Sequence, residues 1–403
     1  MKSFPVNWSV HELAELVTIK SGSTPSKARP DFWGGDTPWI TARDMKTPHI
    51  SSTTASLTSI GAEKARVMPA GTVFVLTRGM TLFRDLPVVR NTKPAAFNQD
   101  VKALISNPNL DANFLACTLI ARKSELLQTV TQAGHGTGRL DTEKLETFPL
   151  PLPPLNEQRK IAAVIATWDE AIEQTNALKD ALLRQRDWLR NTALTGRKQE
   201  SAWKHVPLSE VMTEHKLRSS GTEEVFSVSV HRGLINQVEH LGRSFAAAKT
   251  SHYNLVQPGD VVYTKSPTGG FPFGIIKQST ISHDVIVSPL YGVYAPATEA
   301  IGAILNAVFE SPRLARNYLA PLVQKGAKNT ISITNGRFLE GLVKLPTDPE
   351  MQTRLAETFK VSFKEIGMLD VQIELLRTQK SAIMQKLLTG DIRVAVGEEP
   401  NDG

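Results

Sequence analysis

The stretch QRKIAAVIATWDEAIEQTNALKDALLRQRDWLRNTALTG, Gln158 to Gly196, returns 194 residues later as QTRLAETFKVSFKEIGMLDVQIELLRTQKSAIMQKLLTG, Gln352 to Gly390. Positions spaced alternately four and three apart read Ile161, Ile165, Trp168, Ile172, Thr175, Lys179, Leu182, Arg186, Leu189 and Ala193 in the first stretch. In the second they read Leu355, Phe359, Ser362, Ile366, Leu369, Ile373, Leu376, Lys380, Ile383 and Leu387. A four-three apolar rhythm sustained over about five heptads is the seam of a coiled coil, because 3.5 residues per turn keeps one stripe facing a partner helix. The chain therefore carries two seams, each lacking a partner until they meet. Both place a cation at the same seam position, Arg186 and Lys380, and both end on Leu-Thr-Gly.

The repeat continues outside the helices, which makes it an internal duplication. Trp8, Leu13 and Glu15 match Trp203, Leu208 and Glu210, and Pro69-Ala-Gly71-Thr-Val73 matches Pro258-Gly259-Asp-Val261 as a Gly turn feeding a buried strand. Leu140, Leu145 and Leu152 face Ile333, Phe338 and Leu345, after which Pro153 or Pro346 starts the long helix. Short β-branched runs alternate with turns, and one helical stretch lies near the end of each half, residues 113–130 and 298–323. The order is thus a small α+β domain at 1–152, a long helix at 153–198, a second α+β domain at 199–344, a second helix at 345–396 and an acidic tail at 397–403. The fold class is α+β: two domains in tandem, separated by two helices that pair as an antiparallel coiled coil with pseudo-twofold symmetry.

Composition narrows the chemistry. The single cysteine, Cys117, leaves no internal disulfide and no cysteine-based zinc site, the pattern of a reducing cytoplasm. No run approaches twenty apolar residues and the first residues lack a secretory apolar core, so the expectation is a cytoplasmic protein with no membrane partner. Net charge of +6 leans toward polyanions. The Gly-rich segment Gly134-His135-Gly136-Thr137-Gly138-Arg139 follows no buried strand and opens no helix, which argues against a nucleotide or S-adenosylmethionine cradle. A flexible loop presenting His135, Thr137 and Arg139, or Lys325, Lys328 and Asn329 in the second half, fits phosphate or base contact better, a plain connector being the alternative. No ATP-binding Gly-rich loop, paired zinc histidines or other catalytic constellation is present in the sequence.

Ser21-Gly22-Ser-Thr24-Pro25-Ser26, Asp31-Phe32-Trp33-Gly-Gly-Asp36-Thr-Pro38-Trp39-Ile40 and Asp44-Met45 resemble a target recognition domain of the type I restriction-modification specificity subunit. Leu150-Pro-Leu-Pro-Pro154-Leu-Asn156-Glu157-Gln158 resembles that family's passage into its spacer helix. The second half is similar through Pro258-Gly259-Asp260-Val261 and Val287-Ser-Pro289-Leu-Tyr291, but Thr347-Asp-Pro-Glu350-Met-Gln352 departs from the Asn-Glu-Gln form. The resemblance implies a non-catalytic, sequence-specific subunit of a phage-defence system that reads double-stranded DNA at a bipartite, asymmetric target. It further implies two modification (methyltransferase) subunits and two restriction (motor-nuclease) subunits as partners. The chain itself then needs no cofactor, S-adenosylmethionine, ATP and Mg belonging to the partner subunits. The competing readings are a protein-only coiled-coil adaptor and a diverged methyltransferase or nuclease.

Residue type nominates the DNA contacts. Thr24, Ser26, Lys27 and Arg29 lie in a turn-rich basic stretch suited to phosphates. Arg43 and Arg78 are candidates for bidentate guanine contact, with Lys265 in the equivalent place of the second half. Trp33 and Trp39 read as core residues that hold the loop rather than as stacking platforms. Glu170, Gln174, Asp180 and Arg184, off the seam, face the partner subunits.

Overall fold

A computed structural model describes residues 4–195, 202–230, 232–237, 250–325 and 331–395. The chain divides into two compact units, Met1–Thr175 with Gln372–Gly403, and Asn176–Val371. Each boundary falls near the middle of a long helix, Leu155–Thr195 or Pro349–Leu388. Each unit thus joins a globular portion to half of each helix, where the sequence reading placed the helices as separate segments.

In the first unit the antiparallel pair Ser9–Glu12 and Pro149–Leu152 brings the two ends of the globular portion together. Its main sheet runs in the order Val17–Ser21, Val101–Ser106, Val73–Leu76, Val88–Asn91, His49–Ile50. All four side chains of Val73–Leu76 are buried, as a continuous apolar run in a doubly covered central strand requires. In the second unit Trp203–Pro207 pairs with Leu342–Pro346, and the sheet order is Met212–Glu214, Gly292–Pro296, Val261–Tyr263, Ile276–Gln278. These are the repeat counterparts in the same spatial order. The turn glycines Gly71 and Gly259 share left-handed φ values of +88° and +87°, a conformation costly for any residue with a Cβ.

The cores differ in substance. The first unit buries mainly aliphatic side chains around the Phe74–Phe97 edge contact, at 5.1 Å between centroids. The second packs Tyr263 and Tyr294 against Phe338 at 4.7 and 4.8 Å, and the Tyr263 hydroxyl donates to the Phe273 carbonyl at 2.7 Å. Burial pushes the Tyr263 hydroxyl pKa up, so it stays a donor.

Three sequence-level expectations need correction. The helical stretch at 113–130 is two helices, Ala112–Ala121 and Lys123–Leu127, broken at Arg122, whose guanidinium lies 4.4 Å from the Phe148 ring and pairs with Glu125. The stretch at 298–323 breaks into Glu299–Phe309 and Pro312–Leu319, because Ser311 caps a new helix with Pro312 in its first turn. Pro153 and Pro346 do not begin the long helices. Pro346 closes a strand opposite Trp203, and the helices start at Leu155 and Pro349. What the repeat shares here is a glutamine: Gln158 Nε2 donates to the Pro153 carbonyl at 2.9 Å, and Gln352 Nε2 to the Pro346 carbonyl at 2.8 Å.

Within each unit the two helix halves run antiparallel. In the first unit Lys380 Nζ lies 2.5 Å from Asp169 Oδ1. In the second, Lys179 pairs with Asp370, and Arg186 stacks 4.7 Å above the Phe363 ring. The residue numbers of all three pairs add to 549, so one register holds in both units. In the first unit Ile161, Ile165, Ile373 and Leu387 are buried and Trp168, Ile172, Leu376 and Ile383 half-buried. In the second Phe359 and Ile366 are buried and Leu182, Leu189, Leu355 and Leu369 half-buried. No helix among the described residues is long and apolar enough to cross a membrane.

Candidate nucleic-acid interface

The segment from Ser21 to Phe32 has no ladder of its own for most of its length and is tied down by its neighbours. Trp39 Nε1 donates to the Ser23 carbonyl and Trp33 Nε1 to the Ser26 carbonyl, each at 3.2 Å, while the two indoles meet edge to face at 5.0 Å. Gly22 admits no side chain, since a Cβ there would lie 2.3 Å from the Phe97 carbonyl oxygen. The tryptophans therefore serve as anchors, their polar edges spent on the loop.

Lys27 and Arg43 line a cleft of about 730 Å³ together with Trp33, Trp39, Asp44 and Asn98. Asp44 is the staple of that cleft: one carboxylate oxygen accepts from Thr41 N and Oγ1, the other from Thr54 N and Oγ1, all at 2.7 to 2.9 Å. Burial opposes its ionisation, but the hydrogen bonds from Thr54 and Thr41 win and hold its carboxyl below the usual carboxylate value. The lysine and arginine are thus presented beside an acid whose lone pairs are already engaged. Of the other nominated residues in this stretch, Ser26 is exposed, Thr24 Oγ1 donates to Gln99 Oε1 at 2.7 Å, and Arg29 forms a fork with Asp31 at 2.9 and 2.7 Å.

The Gly-rich segment is a hairpin, which corrects the expectation of a flexible loop. Thr131–Ala133 pairs with Thr137–Arg139, a 3-10 turn at Gly134–Gly136 joins them, and Arg78–Gly79 adds a third strand. Gly138 fits because a Cβ would come within 2.9 Å of Leu82 Cβ. His135 lies in the turn, and Thr137 Oγ1 approaches the Gly134 carbonyl at 3.4 Å. Arg139 stands directly across from Arg78. Like charges in that position are unfavourable in a sheet. Only Arg139 has a carboxylate partner among the described residues, Asp141 at 2.7 Å. Met80 is 64% exposed in the adjacent 3-10 turn Met80–Phe83, with Phe83 also exposed.

The turn after strand Ala95–Phe97 joins these parts. Asn98 lines the cleft, Gln99 receives Thr24, and the Asp100 carbonyl accepts the Arg78 amide at 3.2 Å. Sequence reasoning missed Asn98, Gln99, Met80 and Phe83. The available signal was a polar Asn-Gln-Asp run directly after a fully buried strand.

In the second unit Lys265 follows the strand Val261–Tyr263 and adopts φ +60°, alone among the described non-glycine residues in having positive φ. Strain of this kind gathers where a side chain must be aimed. Gly274 allows it, since a Cβ there would sit 2.8 Å from the Lys265 backbone. Burial pushes the Lys265 ammonium pKa down, against the opposing charge of Glu214, whose Oε1 accepts from Asn335 Nδ2 at 2.6 Å. Lys325 ends a short strand paired with Ile331–Ser332. Lys328, Asn329 and the acidic tail lie outside the described residues.

The profile of the type I restriction modification DNA specificity domain matches residues 5–184, which hold the anchored segment, the cleft and the hairpin. The first half of the chain is therefore similar to the DNA specificity domain of type I restriction-modification systems. The EcoR124I/EcoR124II specificity subunit of Escherichia coli is 29% identical over 187 residues, 46% of this chain and 45% of that protein. The chain thus spans somewhat under half the length of that relative. A putative MjaX specificity subunit from Methanocaldococcus jannaschii is 22% identical over 97% of this chain and 95% of its own length. The crystal structure of a type I restriction-modification S subunit from M. genitalium covers 94% of this chain and 96% of its own at TM-score 0.61 and 12% identity, a likeness of fold.

Proposed function

We propose that this chain is the DNA-reading subunit of a type I restriction-modification complex, itself without catalytic activity. The observation that carries the reading is the Arg78–Arg139 cross-strand pair beside exposed Met80. Two arginines opposite each other in the ladder, of which Arg139 alone has a carboxylate partner among the described residues, favour a polyanion, and an apolar side chain alongside suits the edge of a base. Replacing both arginines by alanine removes two phosphate or base contacts. The slope of log affinity against log salt is then expected to fall by about two on duplex DNA. An unchanged slope sinks the assignment of this strand pair to the interface.

Each unit supplies one reader, so the target is bipartite, and it is asymmetric because the readers differ. The first carries the Trp33, Trp39 and Arg43 cleft, the second the strained Lys265 with Glu214 and Asn335. Exchanging Ser23 to Glu146 for the corresponding segment of another family member is expected to change one half of the methylated motif, read by methylome sequencing. Change in both halves rejects the two-reader arrangement.

Modification and restriction subunits are the proposed protein partners, in two copies each, and S-adenosylmethionine, ATP and Mg enter with them. Support for a docking role comes from the second unit, where Val361, Met368 and Val371 form an exposed apolar stripe off the seam and Trp188 is exposed as well. Glu170, Gln174, Asp180 and Arg184 are also exposed, Gln174 bonded to Glu170. The proposed setting is the cytoplasm.

A further inference from the structure

The second unit encloses a cleft of about 970 Å³ between its half of the helix Leu155–Thr195 and the globular portion. Its charges do not balance. Arg186 and Arg190, with side chains 7% and 6% exposed, both line the cleft and both direct Nη2 at one oxygen of Glu310, at 3.1 and 3.2 Å. Lys277, also buried, stands 4.0 Å from the other oxygen, too far for a hydrogen bond. Three buried cations therefore share one half-buried carboxylate. Asp187 reaches Arg190 at 3.0 Å but is largely solvated. The Nε groups of Arg186 and Arg190 are buried and have no hydrogen-bond partner among the described residues.

The duplication shows that this excess belongs to one copy. In the first unit the cation at the repeat position, Lys380, has its own carboxylate, Asp169. In the second the residue in the place of Asp169 is Phe363, and Arg186 rests on its ring. Isolated cations are rarely kept out of water without a counter-anion. Around the same cleft the helix Pro312–Leu319 presents its N-terminus, an electropositive end, and Phe271 and Pro312 give an apolar wall.

We propose that this cleft binds a small phosphate-bearing molecule, with its phosphate held by Arg186 and Arg190 and its body against Phe271 and Pro312. A phosphate anion compensates the charge that Glu310 and the solvated Asp187 leave unmatched, and its oxygens suit the guanidinium fork. The volume fits a ligand of mononucleotide size. Lys265, Glu214 and Asn335 do not line this cleft, and the site does not depend on their assignment.

The test is isothermal titration of the full chain with inorganic phosphate and with adenosine monophosphate, at constant ionic strength. Saturable binding is expected, and Arg190→Met weakens it about tenfold or more, the loss of one charge-assisted fork. Glu310→Gln provides the control that misfolding cannot imitate: removing the competing carboxylate tightens phosphate binding. Tighter binding of the nucleotide identifies a nucleoside phosphate, and equal binding identifies free phosphate. No saturable heat with either probe, or weaker binding in Glu310→Gln, overturns the site. Displacement of bound phosphate by duplex DNA also overturns it, by giving the anion position to the DNA backbone.

Discussion

Aspartate at Ile172 and Ile366 together separates the helix halves in both units. The two positions are repeat counterparts, one per unit, and Ile366 is buried while Ile172 is half-buried. An unpaired carboxylate in an apolar seam costs several kcal/mol, on the order of 3 to 5 at a fully buried position. Lys380 and Lys179 are already engaged by Asp169 and Asp370, and Arg377, opposite Ile172 in the established register, by Glu374. Neither Ile172 nor Ile366 belongs to the apolar core of a globular portion, which the seam enters through Ile161, Ile165 and Leu387 in the first unit and Leu355 in the second, so the expected outcome is a loss of helical circular dichroism with strand signal retained. The variant is expected to fail in co-purification with the proposed modification subunit. Recovery of an assembled complex with wild-type mass and melting temperature contradicts the pairing.

Arg393→Ala is expected to destabilise the first unit more than Glu157→Ala does. Glu157 is 1% exposed and accepts two bonds from Arg393, at 2.6 and 2.8 Å, and one from the Trp8 indole at 3.2 Å. Arg393 is 42% exposed. Removing the arginine strands a carboxylate away from water with a single neutral donor, at a cost of about 3 kcal/mol. Removing the carboxylate leaves a guanidinium that water can reach, at a cost of about 1 to 2 kcal/mol. Urea melts of the two variants, followed by tryptophan fluorescence, rank them directly. The reverse ranking, or equal midpoints, shows that Glu157 does not depend on Arg393. Glu157 has Met351 as its repeat counterpart. The missing glutamate in the second half is therefore a lost three-way clamp, whereas Gln352 retains the bond to the strand end that Gln158 makes.

Much of the fold is local information. The four-three rhythm alone identifies both seams because periodicity is a property of consecutive residues, and the two glycine turns at Gly71 and Gly259 are legible because φ near +88° excludes most other residues. The duplication follows from the shared offset. What the pattern does not contain is pairing across long separations. Val225 bridges Ile286 in parallel as Trp39 pairs with Ala96, so a strand start with no sequence likeness to the first half still occupies the same place in its sheet. The Gly-rich hairpin owes its form to Arg78–Gly79, a strand some sixty residues away.

The same division governs the site. Basic residues in turns point to polyanion binding as the proposed role, and charge and composition are readable one residue at a time. Which cation is free is decided by what folds beside it: Arg29 is forked to Asp31, Arg139 is held by Asp141, and Arg78 has no carboxylate among the described residues and stands across the ladder from Arg139. Arg186 and Lys380 occupy one seam position in sequence yet receive a phenylalanine and an aspartate from the opposing helix. Seam periodicity determined that two helices pair. Only the antiparallel register, which sets side chains from distant segments within a few ångströms of each other, decided which charges are compensated and which are left for a ligand.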